Sequence, residues 1–307
     1  MLIISIPAER HIIRNRCVMN DQTKKQYIGI AAHFYGHHMD GAALSVSSIK
    51  QALVSTAVNF QPAYFRRLKN AIAFDLENKG HIKAATKIKA VVNPVTERGS
   101  TLIKKAKPKR AKSFADDDLV ALAKHLGEAD FLPAFAAVCL ISKTGARPAE
   151  LRDMHLDGNL LFIRGAKKTN GTRGADRLLT ITDETVRGIV ATCIEILRIN
   201  TWTIDAIRHR IRMEGQKIWP RKKIIPSMYS IRHQVGANLK ASSFDLKTIA
   251  YIMGHQSTNS VRRYGDKRQG NPKAIKIEPA PVADLRAVRD KIKPHNKKTL
   301  DSDVLKS

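Results

Sequence analysis

The chain has 307 residues, more than one typical domain needs and enough for two, and at 43% hydrophobic residues it can bury real cores. Its 54 Lys and Arg outnumber 27 Asp and Glu, giving a formal net charge of +27 and a pI near 10.2, with the excess spread along the chain. That field calls for a polyanion and excludes a strongly basic partner, but a nucleic-acid enzyme, a ribosomal or histone-like protein and a membrane-surface binder all satisfy it.

Cys17, Cys139 and Cys193 lie far apart, without the paired spacing of a zinc site or a disulfide framework, which points to a reducing cytoplasm. The opening MLIISIPAER has an apolar run too short for a signal-peptide core or a membrane span. Residues 1–20 are therefore read as an N-terminal extension without an assigned function. From residue 21 to 95 the pattern is helical: Ile28, Ala31, Ala32 and Tyr35 recur on one face, and Phe65, Leu68, Ile72 and Leu76 do so again before Gly80. Lys24, Lys25, Arg66, Arg67, Lys69, Lys83, Lys87 and Lys89 fall on the polar faces of this bundle and are candidates to line a phosphate backbone or simply a solvated surface. Residues 96–112, with six basic side chains between Lys104 and Lys112, read as a basic linker.

A second unit is expected over residues 113–267. Ser113 is a plausible N-cap for a stripe of Leu119, Leu122, Ala123 and Leu126 ending at Gly127, and Pro133 opens the next helix. The runs LLFI (160–163) and LLTI (178–181) flank a polar, Lys-rich stretch and predict a hairpin with a long loop. Asp245 is placed to cap a helix buried through Leu246, Ile249, Ala250 and Met253 and closed by Gly254. Ser257 is expected to cap a further helix with Tyr264 in its last turn. Residues 268–307, rich in Pro and Lys with a short amphipathic pattern at Leu285, Val288 and Ile292, read as a C-terminal arm outside the core. The fold class is thus mainly α with a small β-sheet.

Four separated pieces carry the chemistry: TGARPAEL (144–151), GAKKTNG (165–171), YSIRH (229–233) and MGHQSTNSVRRY (253–264). In this order and spacing they resemble the tyrosine recombinase, or phage integrase, family across most of the second unit, while the N-terminal bundle is only loosely similar to that family's core-binding domain. The resemblance implies that Arg147 and Arg232 are the two catalytic arginines, Lys168 the hairpin lysine, His255 the late histidine and Tyr264 the nucleophile.

The chemistry needs these residue types. Phosphate-ester cleavage gathers negative charge on non-bridging oxygens, and a guanidinium, charged at any relevant pH, offers them a planar fork of donors. A phenol, with a pKa ordinarily near 10, needs help losing its proton as it attacks, and the leaving 5′-oxygen needs one from a general acid such as a lysine. Lys167 remains an alternative to Lys168, because alternation along a strand points the two to opposite faces. Tyr229 stands where the family more often has a histidine; its hydroxyl can still donate to a phosphate oxygen. Glu150 reads either as a partner that orients Arg147 or as an ordinary ion pair, and His233 as a packed histidine outside the site.

By resemblance the function is site-specific recombination of double-stranded DNA through a 3′-phosphotyrosine and a Holliday junction. It implies a homo-tetramer on two recombination sites, a possible accessory directionality factor, a cytoplasmic, nucleoid-associated location, and no membrane. No metal-ligand spacing and no ATP motif appear, so no cofactor is expected. The rival readings are a type IB topoisomerase-like relaxing enzyme and a non-catalytic basic DNA-binding protein.

Overall fold

The computed structural model describes residues 19–39, 41–107, 109–166 and 174–290. Contacts divide the chain into two compact units, Met1–Pro108 and Lys109–Ser307. Among the described residues no helix is long and apolar enough to cross a membrane.

The first unit contains α1 (Asp21–His38), α2 (Val46–Ser55), α3 (Pro62–Asn78) and α4 (Ile82–Lys89). Asn20 caps α1 by accepting from the Thr23 N–H, and Ser45 and Ser48 form a reciprocal capping box on α2, so the orphan donors of both helix starts are satisfied by side chains. Ala31, Phe34, Ile49, Leu53, Phe65, Leu68, Ile72 and Ile88 make the core. The expected α1 stripe is shifted: Ala31 is buried, but Ile28 is 45% exposed and Phe34 takes the inward position. Of the expected basic positions, Lys25, Arg66, Arg67, Lys83, Lys87 and Lys89 are exposed, while Lys69 is half-buried and donates to the Val91 carbonyl.

The second unit opens with α5 (Asp116–Glu128) and α6 (Leu132–Thr144). Helix α5 starts two residues later than the Ser113 reading. Ala115 is its N-cap, and three acids, Asp116, Asp117 and Asp118, face the positive end of the helix dipole instead of a capping hydroxyl. A four-stranded antiparallel sheet follows, with β1 (Met154–Asp157), β2 (Leu160–Ile163) and β3 (Arg177–Ile181) in sequence order. In the expected hairpin Leu161 faces Leu179 and Ile163 faces Arg177.

Beyond the sheet come α7 (Glu184–Ile199), α8 (Ile204–Ile218), α9 (Met228–Ala241) and α10 (Leu246–Ile252). Asp245 accepts from Thr248 N–H as its cap role requires, and Gly254 closes α10 with φ +61°. Cys139 on α6 and Cys193 on α7, distant in sequence, are free thiols on two helices that pack together; Cys17 lies outside the described residues.

Two expectations about the end of the unit are corrected. The segment after Ser257 is a 3₁₀ helix, Thr258–Arg263, in which Ser257 makes no capping bond and Tyr264 sits just past the end in extended backbone. Residues 268–290 are not detached from the core: β4 (Ile277–Pro279) pairs with β3, and Ile277 and Val288 are buried; the rest of the expected arm lies outside the described residues. The amphipathic pattern at Leu285 and Val288 is only a 3₁₀ turn, Leu285–Ala287, and Ile292 lies outside the described residues.

Tyr264 is attached to α9 through glycine. Gly265 has φ +50°, and a Cβ there would lie 2.4 Å from the Ala237 nitrogen and 2.5 Å from the His233 carbonyl oxygen. Gly158, at φ +54°, has nothing within 4 Å of the same position. Gly158→Ala should therefore lose about 1 kcal/mol, the left-handed strain alone. Gly265→Ala should lose roughly 2–5 kcal/mol, because backbone overlap adds to the strain. Urea unfolding followed by the fluorescence of Trp202 and Trp219 checks both, and equal losses would contradict the close packing at Gly265.

Candidate active site

Arg147 stands at the N-cap of a 3₁₀ turn, Pro148–Glu150, immediately after α6 ends at Gly145 in left-handed conformation. The turn folds Glu150 back on it. The carboxylate takes the Arg147 backbone N–H on Oε2 at 2.8 Å and the Arg147 Nη1 on Oε1 at 2.6 Å, while Arg147 Nη2 donates to the Gly254 carbonyl at 2.9 Å. The Arg147 side chain is 11% exposed and that of Glu150 fully buried, so the pair is not a surface ion pair and the guanidinium plane is fixed.

Arg232 lies on α9 and is wholly buried. Its Nη1 donates to the Gly145 carbonyl, and its Nη2 to the Met253 carbonyl at 2.6 Å and to His255 Nε2 at 3.2 Å. Because a guanidinium can only donate, His255 Nε2 is the acceptor and the ring hydrogen sits on Nδ1, which is buried and has no hydrogen-bond partner among the described residues. Tyr264 is half-buried beside them: its ring centroid is 5.0 Å from the Arg232 guanidinium carbon, 4.9 Å from the His255 ring and 4.8 Å from the His233 ring. Residues 147, 232, 255 and 264 thus converge on one locus.

The other expected residues stand differently. Tyr229 is in the first turn of α9, one turn before Arg232, and 45% exposed, free to meet a ligand from solvent. Lys168, with its alternative Lys167, lies outside the described residues. The stem of their hairpin is held by Gly165 N–H to Asp176 at 2.8 Å, Ala166 N–H to Glu150 at 3.4 Å and Gln256 to the Gly174 carbonyl at 2.9 Å.

Two neighbours escaped the sequence reading. His233, expected to pack elsewhere, stacks on Tyr264 and takes the Gly265 N–H on Nδ1 at 3.3 Å. Arg177, at the start of β3, is fully buried and donates to Glu150 Oε2 at 2.9 Å. Its only sequence signal is a cation adjoining an apolar strand.

Burial and mutual repulsion dominate the electrostatics. Desolvation and the positive charges of Arg147 and Arg177 push Arg232 down to about 10, still charged at neutral pH. Desolvation, reinforced by Arg232, Arg147 and Arg177, holds His255 down at about 2, so the imidazole is neutral. Glu150 is held at about 2 because attraction from Arg177 and Arg147 outweighs its burial. What this arrangement can do is hold an anion: three guanidinium groups surround a single paired carboxylate. Among the described residues no group of three or more His, Cys, Asp or Glu is placed to hold a metal ion.

Both depressed groups contribute stability that is complete above their ordinary pKa and is lost as pH falls toward the folded value. His255 acts first, from about 6.5 downward, and Glu150 from about 4.5. The urea midpoint should therefore fall from pH 7 to pH 5, and His255→Asn, which cannot titrate, should flatten that fall. Desolvation also depresses His233, which adds a smaller slope of the same sign. An unchanged slope in His255→Asn would show that this imidazole is not held neutral.

Comparison with known protein families matches residues 112–270 to the phage integrase family. A comparison with curated protein sequences finds no match. Among solved structures, the chain is similar to a lambda integrase dimer bound to a COC′ core site, with TM-score 0.58 and 16% identity over 82% of this chain and 73% of that one. It is also similar to the Tn1549 transposon integrase in complex with a circular intermediate DNA, with TM-score 0.54 and 14% identity over 83% of this chain and 92% of that one. At these identities the likeness establishes the fold, while the family match spans just over half the chain, including all four motif pieces and every described residue of the converging set. The chain belongs to the phage integrase family of site-specific tyrosine recombinases.

Proposed function

We propose that Tyr264 attacks a scissile DNA phosphate held by Arg147 and Arg232. The phenolic oxygen bonds to phosphorus, the bond from phosphorus to the 5′-oxygen breaks, and a 3′-phosphotyrosine and a free 5′-hydroxyl result. Attack of a partner strand's 5′-hydroxyl on this phosphotyrosine forms the recombinant phosphodiester, breaks the bond from phosphorus to the phenolic oxygen and releases the phenol, so bond energy is conserved and neither ATP nor a divalent ion is required. The observation that carries the reading is a phenol beside a buried guanidinium whose charge is shared with two others against one carboxylate.

Arg147 and Arg232 stabilise the charge developing on the non-bridging oxygens, their forks held in place by Glu150 and by the Gly145, Met253 and Gly254 carbonyls. Neutral His255, its Nδ1–H without a partner among the described residues, donates to a phosphate oxygen. Lys168, or Lys167, protonates the leaving 5′-oxygen, and Tyr229 adds a hydrogen bond to the phosphate. The enzyme works as a homo-tetramer on two specific double-stranded sites, through a Holliday junction. Its first unit contributes backbone charge, and an accessory factor can set direction. The family association favours a cytoplasmic, nucleoid-associated enzyme.

Incubation with a library of nicked duplexes, followed by sequencing of protein-linked DNA, identifies the site and tests the chemistry. Tyr264→Phe should bind DNA, since charge supplies affinity, but trap no denaturant-resistant adduct. Arg232→Ala should cleave about 10²-fold or more slowly, the usual loss for one transition-state donor. Cleavage should survive excess EDTA. An adduct formed by Tyr264→Phe, or strict dependence on Mg²⁺, would overturn the assignment, and relaxation of supercoils without transfer between duplexes would point to a topoisomerase instead.

A further inference from the structure

Arg177 is the largest feature of the site that the proposed chemistry leaves unused. Its side chain is 0% exposed, yet among the described residues only Nη2 has a hydrogen-bond partner, while Nε and Nη1 are buried with none. A guanidinium placed only to neutralise Glu150 would be redundant, because that carboxylate already takes both the backbone N–H and Nη1 of Arg147. Burying a second cation there is costly, and such pairs are weak contributors to stability. The position is also crowded by like charge. A Cβ on Gly254 would lie 2.7 Å from Arg177 Nη1 and 3.2 Å from Arg147 Nη1, so the two guanidinium groups flank one glycine with no side chain between them.

We propose that Arg177 is a positioning residue for DNA cleavage, which fixes the Glu150 carboxylate plane and shares its charge so that Arg147 stays both aligned and incompletely neutralised. The geometry supports each part. Arg177 Nη2 binds the same oxygen, Oε2, that receives the Arg147 backbone N–H, while Oε1 takes Arg147 Nη1 at 2.6 Å and the Ala166 N–H at 3.4 Å. Without Arg177, Glu150 and Arg147 would form a closed one-to-one pair, and the guanidinium would have little charge left for a phosphate. Because Arg177 stands on β3, paired with Ile163 of β2, the sheet supplies the rigid mount. The inference rests on Arg147 being a phosphate donor.

The test compares single-turnover cleavage of the duplex identified above, carrying either the native scissile phosphodiester or a methylphosphonate, whose methyl group removes one non-bridging charge. Arg177→Gln leaves Glu150 paired with Arg147, so it should fold and melt close to the unmodified protein, yet cleave the phosphodiester about 10²-fold more slowly, as for loss of a transition-state donor. On the methylphosphonate its deficit should shrink to a few-fold, as that of Arg147→Ala should. Arg177→Lys, which keeps the charge and one donor, should stay within about tenfold of the unmodified protein on the phosphodiester and decides the matter if Arg177→Gln does not fold. Equal deficits on the two substrates, or normal phosphodiester cleavage by Arg177→Gln, would overturn the proposal. If Arg147→Ala itself is not relieved by the methylphosphonate, the assignment of Arg147 to the phosphate fails instead.

Discussion

The organisation of the second unit depends on keeping an excess of positive charge out of water. Arg147, Arg177 and Arg232 are buried or nearly so, and Glu150 is the carboxylate that pairs with two of them. An isolated ion would not tolerate such desolvation. Here part of the compensation comes from backbone carbonyls that helix geometry leaves without partners. Gly145 ends α6, and Met253 and Gly254 end α10; their oxygens lie at negative dipole ends and accept from Arg232 and Arg147. Compensation by partial charges is incomplete, and the remainder is what a phosphate diester can supply.

The same arrangement decides what His255 is. An imidazole in water titrates near neutrality, but one that accepts a hydrogen bond from a buried guanidinium and faces two more cannot hold a proton. Under the proposed chemistry it can therefore serve only as a neutral donor through Nδ1, and proton transfer falls to other groups. His233, stacked on the Tyr264 ring and depressed by desolvation and by Arg232, adds a second imidazole. Among the described residues Tyr264 is thereby flanked by two imidazole rings and one guanidinium.

Much of this was legible in the chain because the described motif pieces around Arg147, Arg232 and His255–Tyr264 are local: each contains its candidate residue and the turn or helix end that aims it. Glu150 lies three residues from Arg147, close enough for the sequence to suggest the pairing that the 3₁₀ turn makes. Arg177 was not legible, since its burial depends on a carboxylate 27 positions away and on Gly254, none of which a run such as DRLLTI announces. The 3₁₀ form of Thr258–Arg263 and the start of α5 were misread for a related reason: a serine at a plausible cap position signals a boundary, but tertiary contacts fix where the helix starts and how tightly it winds. Strand β4 is three residues long, too short for any alternation, and exists because β3 offers it an edge.

That edge pairing bears on how Tyr264 is held. Tyr264 follows a short 3₁₀ segment and precedes a glycine in left-handed conformation, so local propensity gives it little rigidity. Its position comes instead from contacts spread along α9. Lys240 donates to the carbonyls of Tyr264 and Gly265, Gln234 to the carbonyl of Gln269, and Asn238 accepts from the Asn271 N–H. Beyond them β4 ties the chain to the sheet that also carries Arg177. Helix α9 therefore holds Arg232 through its own backbone and Tyr264 through side chains and close glycine contacts, which couples the phenol to the guanidinium within one chain. A segment held by so many separate bonds moves only if several break together, and any rearrangement that withdraws the tyrosine must first release it from α9.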